Sequence, residues 1–328
     1  MNKSALKTKL TAIPTPMAGL ALGIASLGWS WENMGAFHGQ LQHLSAAIGG
    51  AMLLALALKF LIVPRSLLDD LKHPVVGSVV PTFAMTSMIL SKSVGDYSVM
   101  LGSGIWLFAV VLHLCFLAGF IFHRTKQFHF LHMVPSWFVP PVGIVVANVA
   151  FPEVEALRPF ANALLVFGMA SYAVMLPIMM HRLIFHCKVP DAAKPTLAIL
   201  AAPASLCLAG YLTMTPDPSP VIVGLLGGIA VLMTMLIYMA SGRLLRLSFS
   251  PAYAAYTFPL VIGATAMFKV ANYMQSQGLS LEYVEQVRWI ATVELYIATL
   301  VIIYVTARYL WHYSPLHKIG LAAQERQA

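Results

Sequence analysis

The sequence predicts an all-α integral membrane protein of ten spanning helices. Three observations predict it: apolar residues gather into blocks of membrane-crossing length, basic residues concentrate in alternate loops, and prolines recur once per pair of blocks. Of 328 residues, 59% are hydrophobic and 10% charged, with a mean hydropathy of +0.79; soluble chains carry about 25% charged residues. A soluble core could not absorb that much apolar surface. Blocks of about 18 to 25 residues, at 1.5 Å per residue, are long enough to cross a hydrocarbon layer about 30 Å thick. They fall at 15–32, 41–63, 74–92, 97–122, 135–151, 159–181, 195–214, 220–240, 251–273 and 289–311. The expected organisation is an amino-terminal tail over 1–14, a ten-helix domain over 15–313 and a carboxy-terminal tail over 314–328.

A net charge of +8 and a pI near 9.4 would suggest nucleic acid as the partner of a soluble protein. Here topology accounts for the charge instead, and lipid, not nucleic acid, is the expected surrounding. Sixteen Lys and Arg residues lie in or at the edges of the two tails and the loops after even-numbered blocks, against three after odd-numbered blocks. That bias places both termini in the cytoplasm by the positive-inside rule. Lys3, Lys7 and Lys9 before an apolar run imitate a signal peptide, but nine further blocks follow, so the first block is read as a helix. Cys115, Cys187 and Cys207 form no CxxC pair and read as small packing residues.

The odd-numbered blocks carry Pro16, Pro81, Pro141, Pro203 and Pro259, spaced by 65, 60, 62 and 56 residues. One helical hairpin per interval, and five hairpins in all, follow from that spacing. A second proline opens the last four odd blocks, at Pro74, Pro135, Pro195 and Pro251, while Pro177 is an exception inside an even one. A proline within a helix removes a hydrogen bond and bends it, and the freed carbonyl needs protein or water as partner. Bent odd helices are therefore expected to line the interior. Small or hydroxylic residues flank the prolines, among them Gly19, Gly23, Gly77, Ser78, Gly143, Ala147, Ser205, Gly263 and Ala264. Such residues serve close helix packing in membranes generally; five sets in register point to a central path.

These residues also carry a family resemblance. His73-Pro74 with Ser78, Pro81 and Thr86-Ser87-Met88, then Met133-Val134-Pro135 through Pro140-Pro141-Val142, Ala202-Pro203-Ala204, and Ala255-Tyr256-Thr257-Phe258-Pro259-Leu260 follow one another in order. From about Pro14 to the tenth block the chain resembles the tellurite-resistance/dicarboxylate transporter family, which includes the TehA proteins and the plant slow anion channels. The resemblance implies five hairpins around a quasi-fivefold central pore with odd helices inside, and a homotrimer with one pore per protomer. It also implies that Phe258 blocks the pore as a gate, with Pro259 setting the kink that aims it. Taken alone, without the resemblance, Phe258 reads as an ordinary buried aromatic that serves packing.

A pore through low dielectric offsets an ion's lost hydration with fixed charges, backbone dipoles or water. Within the blocks, away from their ends, Lys269, Glu294, His113 and Lys59 are the ionisable residues besides thiols and tyrosines. Kink-freed N–H groups and a basic cytoplasmic face favour small inorganic or organic anions over cations. Lys269 lies eleven residues after Phe258, about three turns on and on the same helical face. An intramembrane lysine calls for a partner or water, and Glu294 is the expected partner, as a functional or a structural pair. His113 reads as a polar core residue. His123, His129 and His132 lack zinc-type spacing, so no metal is expected, while His181, Arg182 and His186 suit a helix C-terminus at the membrane surface. Trp29, Trp31, Trp137, Trp289 and Trp311 read as an interfacial belt.

No nucleotide-binding, zinc-protease or nucleophile-elbow motif occurs, so neither an enzyme nor a cofactor is expected. The leading expectation is an anion channel of the bacterial inner membrane. A proton-coupled exporter of dicarboxylate, sulfite or tellurite-type oxyanions is the alternative, and would need Glu294 or Lys269 in its path. A membrane-embedded enzyme or scaffold would require clustered acid, base or metal residues.

Overall fold

A computed structural model describes residues 7, 9–35, 37–186 and 189–314; Lys3, Cys187 and nearly all of the 314–328 tail lie outside the described residues. The regular secondary structure of those described is entirely helical, with no strand among them. The α-helices are α1 (Met17–Trp31), α2 (Gln40–Ile62), α3 (Pro64–Lys72), α4 (Val76–Val79), α5 (Thr82–Gly95), α6 (Val99–Lys126), α7 (Val139–Val142), α8 (Val146–Val149), α9 (Arg158–Phe185), α10 (Ala202–Met214), α11 (Pro220–Leu244), α12 (Thr257–Ser276) and α13 (Leu281–Tyr313). Three of the 3-10 segments matter to the site: Pro135–Phe138, Asp191–Ala201 and Pro251–Tyr256.

Seven helical runs among the described residues are long and apolar enough to cross a membrane. A bent pair, Pro64–Lys72 with Val76–Gly95, would be an eighth, and Met17–Trp31 and Pro135–Val149 are shorter apolar helices. Burial sorts the runs into two kinds. In Asp191–Met214 and Pro251–Ser276, 72% and 83% of the most apolar stretch is buried, against 28–39% in the other five. Those five present Leu54, Leu61, Phe108, Val166, Leu225, Met239, Leu300 and Ile303 outward. So much contiguous apolar surface suits contact with lipid, not water.

The buried elements touch one another in a cycle. Helix α1 packs on α5, α5 on α8, α8 on α10, α10 on α12, and α12 returns to α1. Outside this ring each inner element is backed by the helix that follows it: α2 behind α1, α6 behind α5, α9 behind the Pro135–Val149 run, α11 behind α10 and α13 behind α12.

The prolines do something other than bend continuous α-helices. Pro16 and Pro81 occupy the residue before α1 and α5, Pro203 is the second residue of α10, and Pro259 is the third of α12. In three units a 3-10 segment precedes the α-helix. The first turn of an α-helix has N–H groups without intrahelical partners, so proline there removes no bond. Each such proline marks the start of an α-helical second half. The Asp191–Ala201 segment, with Pro195 inside it, runs for 11 residues as a 3-10 helix, far beyond the usual length.

Helix α3 occupies a stretch the hydropathy pattern leaves as a loop. Pro64 starts it, and His73 ends it with extended backbone, ψ 130°, as the residue before Pro74 is disposed to be. The chain turns by 112° there. Leu71 then packs with Val80, Ala84 and Phe116. The proposed tryptophan belt also divides. Trp289 and Trp311 are exposed, but Trp137 is buried and donates from Nε1 to Pro74 O at 3.0 Å.

Candidate functional site

A chamber of about 660 Å³ sits at one end of the ring. Every inner unit contributes to its wall: Pro16, Gly19 and Leu22; Val76, Val79, Thr82 and Met85; Phe138, Val142 and Gly143; Thr196, Ile199, Pro203 and Leu206; Ala254, Ala255, Phe258 and Pro259. The wall is chiefly aliphatic. Two of its threonine hydroxyls are turned back on the backbone, Thr82 to Val79 O at 2.7 Å and Thr196 to Ala193 O at 2.6 Å.

Beyond Phe258 lies a second void of about 10 Å³, lined by Ser26, Trp29, Ile89, Val146, Val149, Val261, Ile262 and Thr265 with Phe258 and Leu206. That is at the lower bound for one water molecule. Among the described residues Phe258 and Leu206 alone border both spaces. The phenyl ring, 6% exposed, therefore stands between the chamber and the narrow region.

The backbone carrying Phe258 is fixed by its neighbours. Thr257 Oγ1 donates to Gly19 O at 3.1 Å and lies 2.7 Å from Ala254 O. A Cβ at Gly23 would fall 2.4 Å from Thr257 Cβ and 3.0 Å from Phe258 N, so α1 and α12 approach this closely only because Gly23 has no side chain. Tyr253 OH donates to Leu247 O at 2.6 Å and steadies the segment before it.

Of the residues singled out in the sequence, Gly19, Gly143, Pro203, Phe258 and Pro259 line the chamber. Ser78, Pro81, Pro141, Ser205, Thr257, Gly23 and Gly263 do not. Ser78 Oγ joins Ser136 Oγ at 2.6 Å, tying α4 to the Pro135–Phe138 segment. Ser205 donates to Ala201 O at 3.0 Å. Pro81 precedes α5, and Pro141 faces a groove on the other side of its segment. His113 is fully buried, its Nε2 donating to Pro140 O at 2.8 Å.

Lys269 and Glu294 do not form the expected pair. No ion pair joins them, although both are described. Glu294 is buried with Oε2 unpartnered, and a Cβ at Gly263 would come within 3.1 Å of that oxygen. Lys269 follows Gly263 by six residues, about 9 Å along the helix axis, which carries it past the carboxylate. It lies within electrostatic reach of Lys92, which pairs with Glu153 at 3.4 Å. Lys269 continues the stripe that begins at Phe258 and runs through Ile262 and Thr265, on the far side of the narrow region.

A network at the chamber mouth was not anticipated. Lys59 Nζ donates to Ile13 O at 2.8 Å and Thr15 Oγ1 at 3.0 Å, and lies 3.7 Å from an Asp70 carboxylate oxygen. Thr15 in turn donates to Asp70. All four residues line the chamber. A lysine within an otherwise apolar block was the sequence signal; its partners come from elements 44 or more residues away in one direction and eleven in the other, which periodicity does not relate.

An all-helical bundle with lipid-suited outer faces and a buried ring of proline-bearing segments defines an α-helical multi-pass membrane protein. The chain belongs to the SLAC1 family, described as voltage-dependent anion channel, which matches residues 16–310. It is 23% identical over 261 residues to an uncharacterised transporter of Methanocaldococcus jannaschii, covering 70% of this chain and 75% of that protein. A second uncharacterised transporter of that organism is 22% identical over 228 residues, covering 62% of this chain and 65% of its own. The family membership agrees with the resemblance carried by the motifs around Pro81, Pro141, Pro203 and Phe258.

Proposed function

We propose that the protein is an anion channel whose conduction path runs through the inner ring, with the chamber as one vestibule and Phe258, assisted by Leu206, as the closure. The observation that carries this reading is that these two side chains alone border both the chamber and the narrow region. The seven long runs, the bent pair and the two shorter apolar helices then make ten spans in five hairpins, with the chamber on the cytoplasmic side where the basic residues gather. The site is the inner membrane of a bacterium, and the assembly a homotrimer with one path per protomer.

The wall explains the choice of ion by what it lacks. Among the described residues no carboxylate other than Asp70, already engaged by Lys59 and Thr15, borders the chamber, so a cation finds no free anionic ligand in that described wall. The basic rim concentrates anions over roughly 8 Å at physiological salt. Past the closure, Lys269 beside Lys92 offers a second cationic step. Lys269→Met is expected to reduce chloride conductance about two- to fivefold at low ionic strength and much less near 1 M salt, where the Debye length is about 3 Å. Single-channel recording in both salts checks this, and an unchanged conductance would remove Lys269 from the path.

A second reading, a proton-coupled exporter of dicarboxylate or oxyanions, is favoured by the buried carboxyl of Glu294, its Oε2 without a hydrogen-bond partner, against the helix that carries Phe258. Chloride and nitrate flux into reconstituted vesicles separates the two. Currents linear in voltage, indifferent to a pH gradient and preserved in Glu294→Gln, are expected of the channel. Saturable flux driven by a pH gradient and lost in Glu294→Gln would replace it with the exporter.

A further inference from the structure

On the outer surface of the bundle, away from the chamber, α6, α9 and the Pro135–Val149 run enclose a groove of about 500 Å³. Leu117, Phe120 and Ile121 form one wall, and Trp137 and Met175 the other. Phe120 and Trp137 meet edge to face with centroids 5.3 Å apart, which makes that part of the groove rigid. One end is not apolar. Arg124, one helical turn past Phe120 and Ile121, lines it. Its side chain is 6% exposed; one guanidinium nitrogen donates to Lys72 O, while Nε is buried with no hydrogen-bond partner.

A buried guanidinium with an unmade hydrogen bond is costly unless something anionic completes it. Among the described residues no carboxylate supplies the anion. At this end of the bundle the described carboxylates are engaged elsewhere: Asp69 with Lys72 at 3.0 Å, Asp70 with Lys59 and Thr15, and Asp191 with Lys194. A second copy of the chain would bring those same occupied groups. Lys126, its Nζ 4.1 Å from the Phe122 ring centroid, adds positive charge at the end of α6. An apolar slot between apolar helices of membrane-crossing length that ends in an arginine in the last turn of α6 matches one ligand chemistry, an acyl chain joined to a phosphate.

We propose that this groove holds an acyl chain of an anionic phospholipid, with the lipid phosphate on Arg124. Pro141 and Trp137 border the groove while Phe138, Val139 and Val142 of the same run border the chamber. The lipid would thus brace one wall of the chamber from behind.

Tryptophan quenching by phospholipids brominated on their acyl chains tests this, because Trp137 lines the groove. Purified protein is titrated in mixed micelles with brominated phosphatidylglycerol or brominated phosphatidylcholine of identical chains, and the Trp137→Phe variant isolates that residue's signal. Phosphatidylglycerol is expected to quench the Trp137 component at a mole fraction about fivefold lower than phosphatidylcholine, a preference that Arg124→Gln abolishes. The wild-type preference is decisive even if Arg124→Gln fails to fold. Equal quenching by the two lipids would overturn the proposal in favour of ordinary lipid contact. Absence of Trp137 quenching by both, with cross-linking between protomers through Ile121→Cys, would overturn it in favour of a second copy in the groove.

Discussion

Phe258→Ala is expected to raise chloride and nitrate conductance by at least about tenfold, which asks of the phenyl ring a barrier of only about 1.4 kcal/mol. The ring is the largest side chain bordering both the 660 Å³ chamber and the 10 Å³ void, and alanine at this position would leave Leu206 alone between them. The backbone should stay in place, because Thr257 remains hydrogen bonded to Gly19 O and Gly23 remains in contact with Thr257. Burying an aromatic in a closed core and then truncating it costs about 3–5 kcal/mol. Phe258 faces two cavities, so the loss in thermal stability should be well below that range. Conductance in planar bilayers and melting in detergent together check the prediction. A stable Phe258→Ala protein that conducts no more than wild type would move the closure elsewhere.

Gly23→Val is expected to have the largest effect on stability. Its side chain would begin 2.4 Å from Thr257 Cβ and 2.5 Å from Thr257 Oγ1, with Phe258 N at 3.0 Å. Threonine is β-branched and its hydroxyl is already committed to Gly19 O and Ala254 O. Neither neighbour can swing aside, so α1 and α12 must separate. Overpacking of this kind costs about 1–3 kcal/mol, and the upper end or beyond is expected here because backbone must move. Thermal melting of the purified variant measures it. Gly104→Ala provides the contrast: nothing lies within 4 Å of a Cβ there, in the second turn of α6. It is expected to be neutral or to stabilise by up to about 1 kcal/mol through helix propensity. Similar losses in both variants would mean that general helix perturbation, not the α1–α12 contact, governs stability.

Much of this molecule is written in local patterns. Hydropathy places the helical runs to within a few residues at most of their ends, because membrane-length apolar blocks have few alternatives in which backbone groups are all satisfied. The prolines stand out because they tolerate only a few backbone positions. They do not by themselves say which position is occupied. A proline in a bent α-helix and a proline at the start of an α-helix look alike in sequence, and Pro16, Pro81, Pro203 and Pro259 proved to be the latter.

The side chains of the site divide in the same way. Phe258 and Pro259 stand out in sequence because a motif carries them, whereas Leu206, an unremarkable leucine, takes its importance only from bordering the same two spaces. The sequence by itself determined an all-helical membrane protein and its family, because both depend on composition and spacing along the chain. Tertiary structure alone decided that Lys59 meets Asp70 and Thr15, that Glu294 faces Gly263 instead of Lys269, and that Pro141 turns away from the chamber. Those outcomes depend on the rotation and axial height of one helix against another, which packing fixes and helical periodicity leaves free.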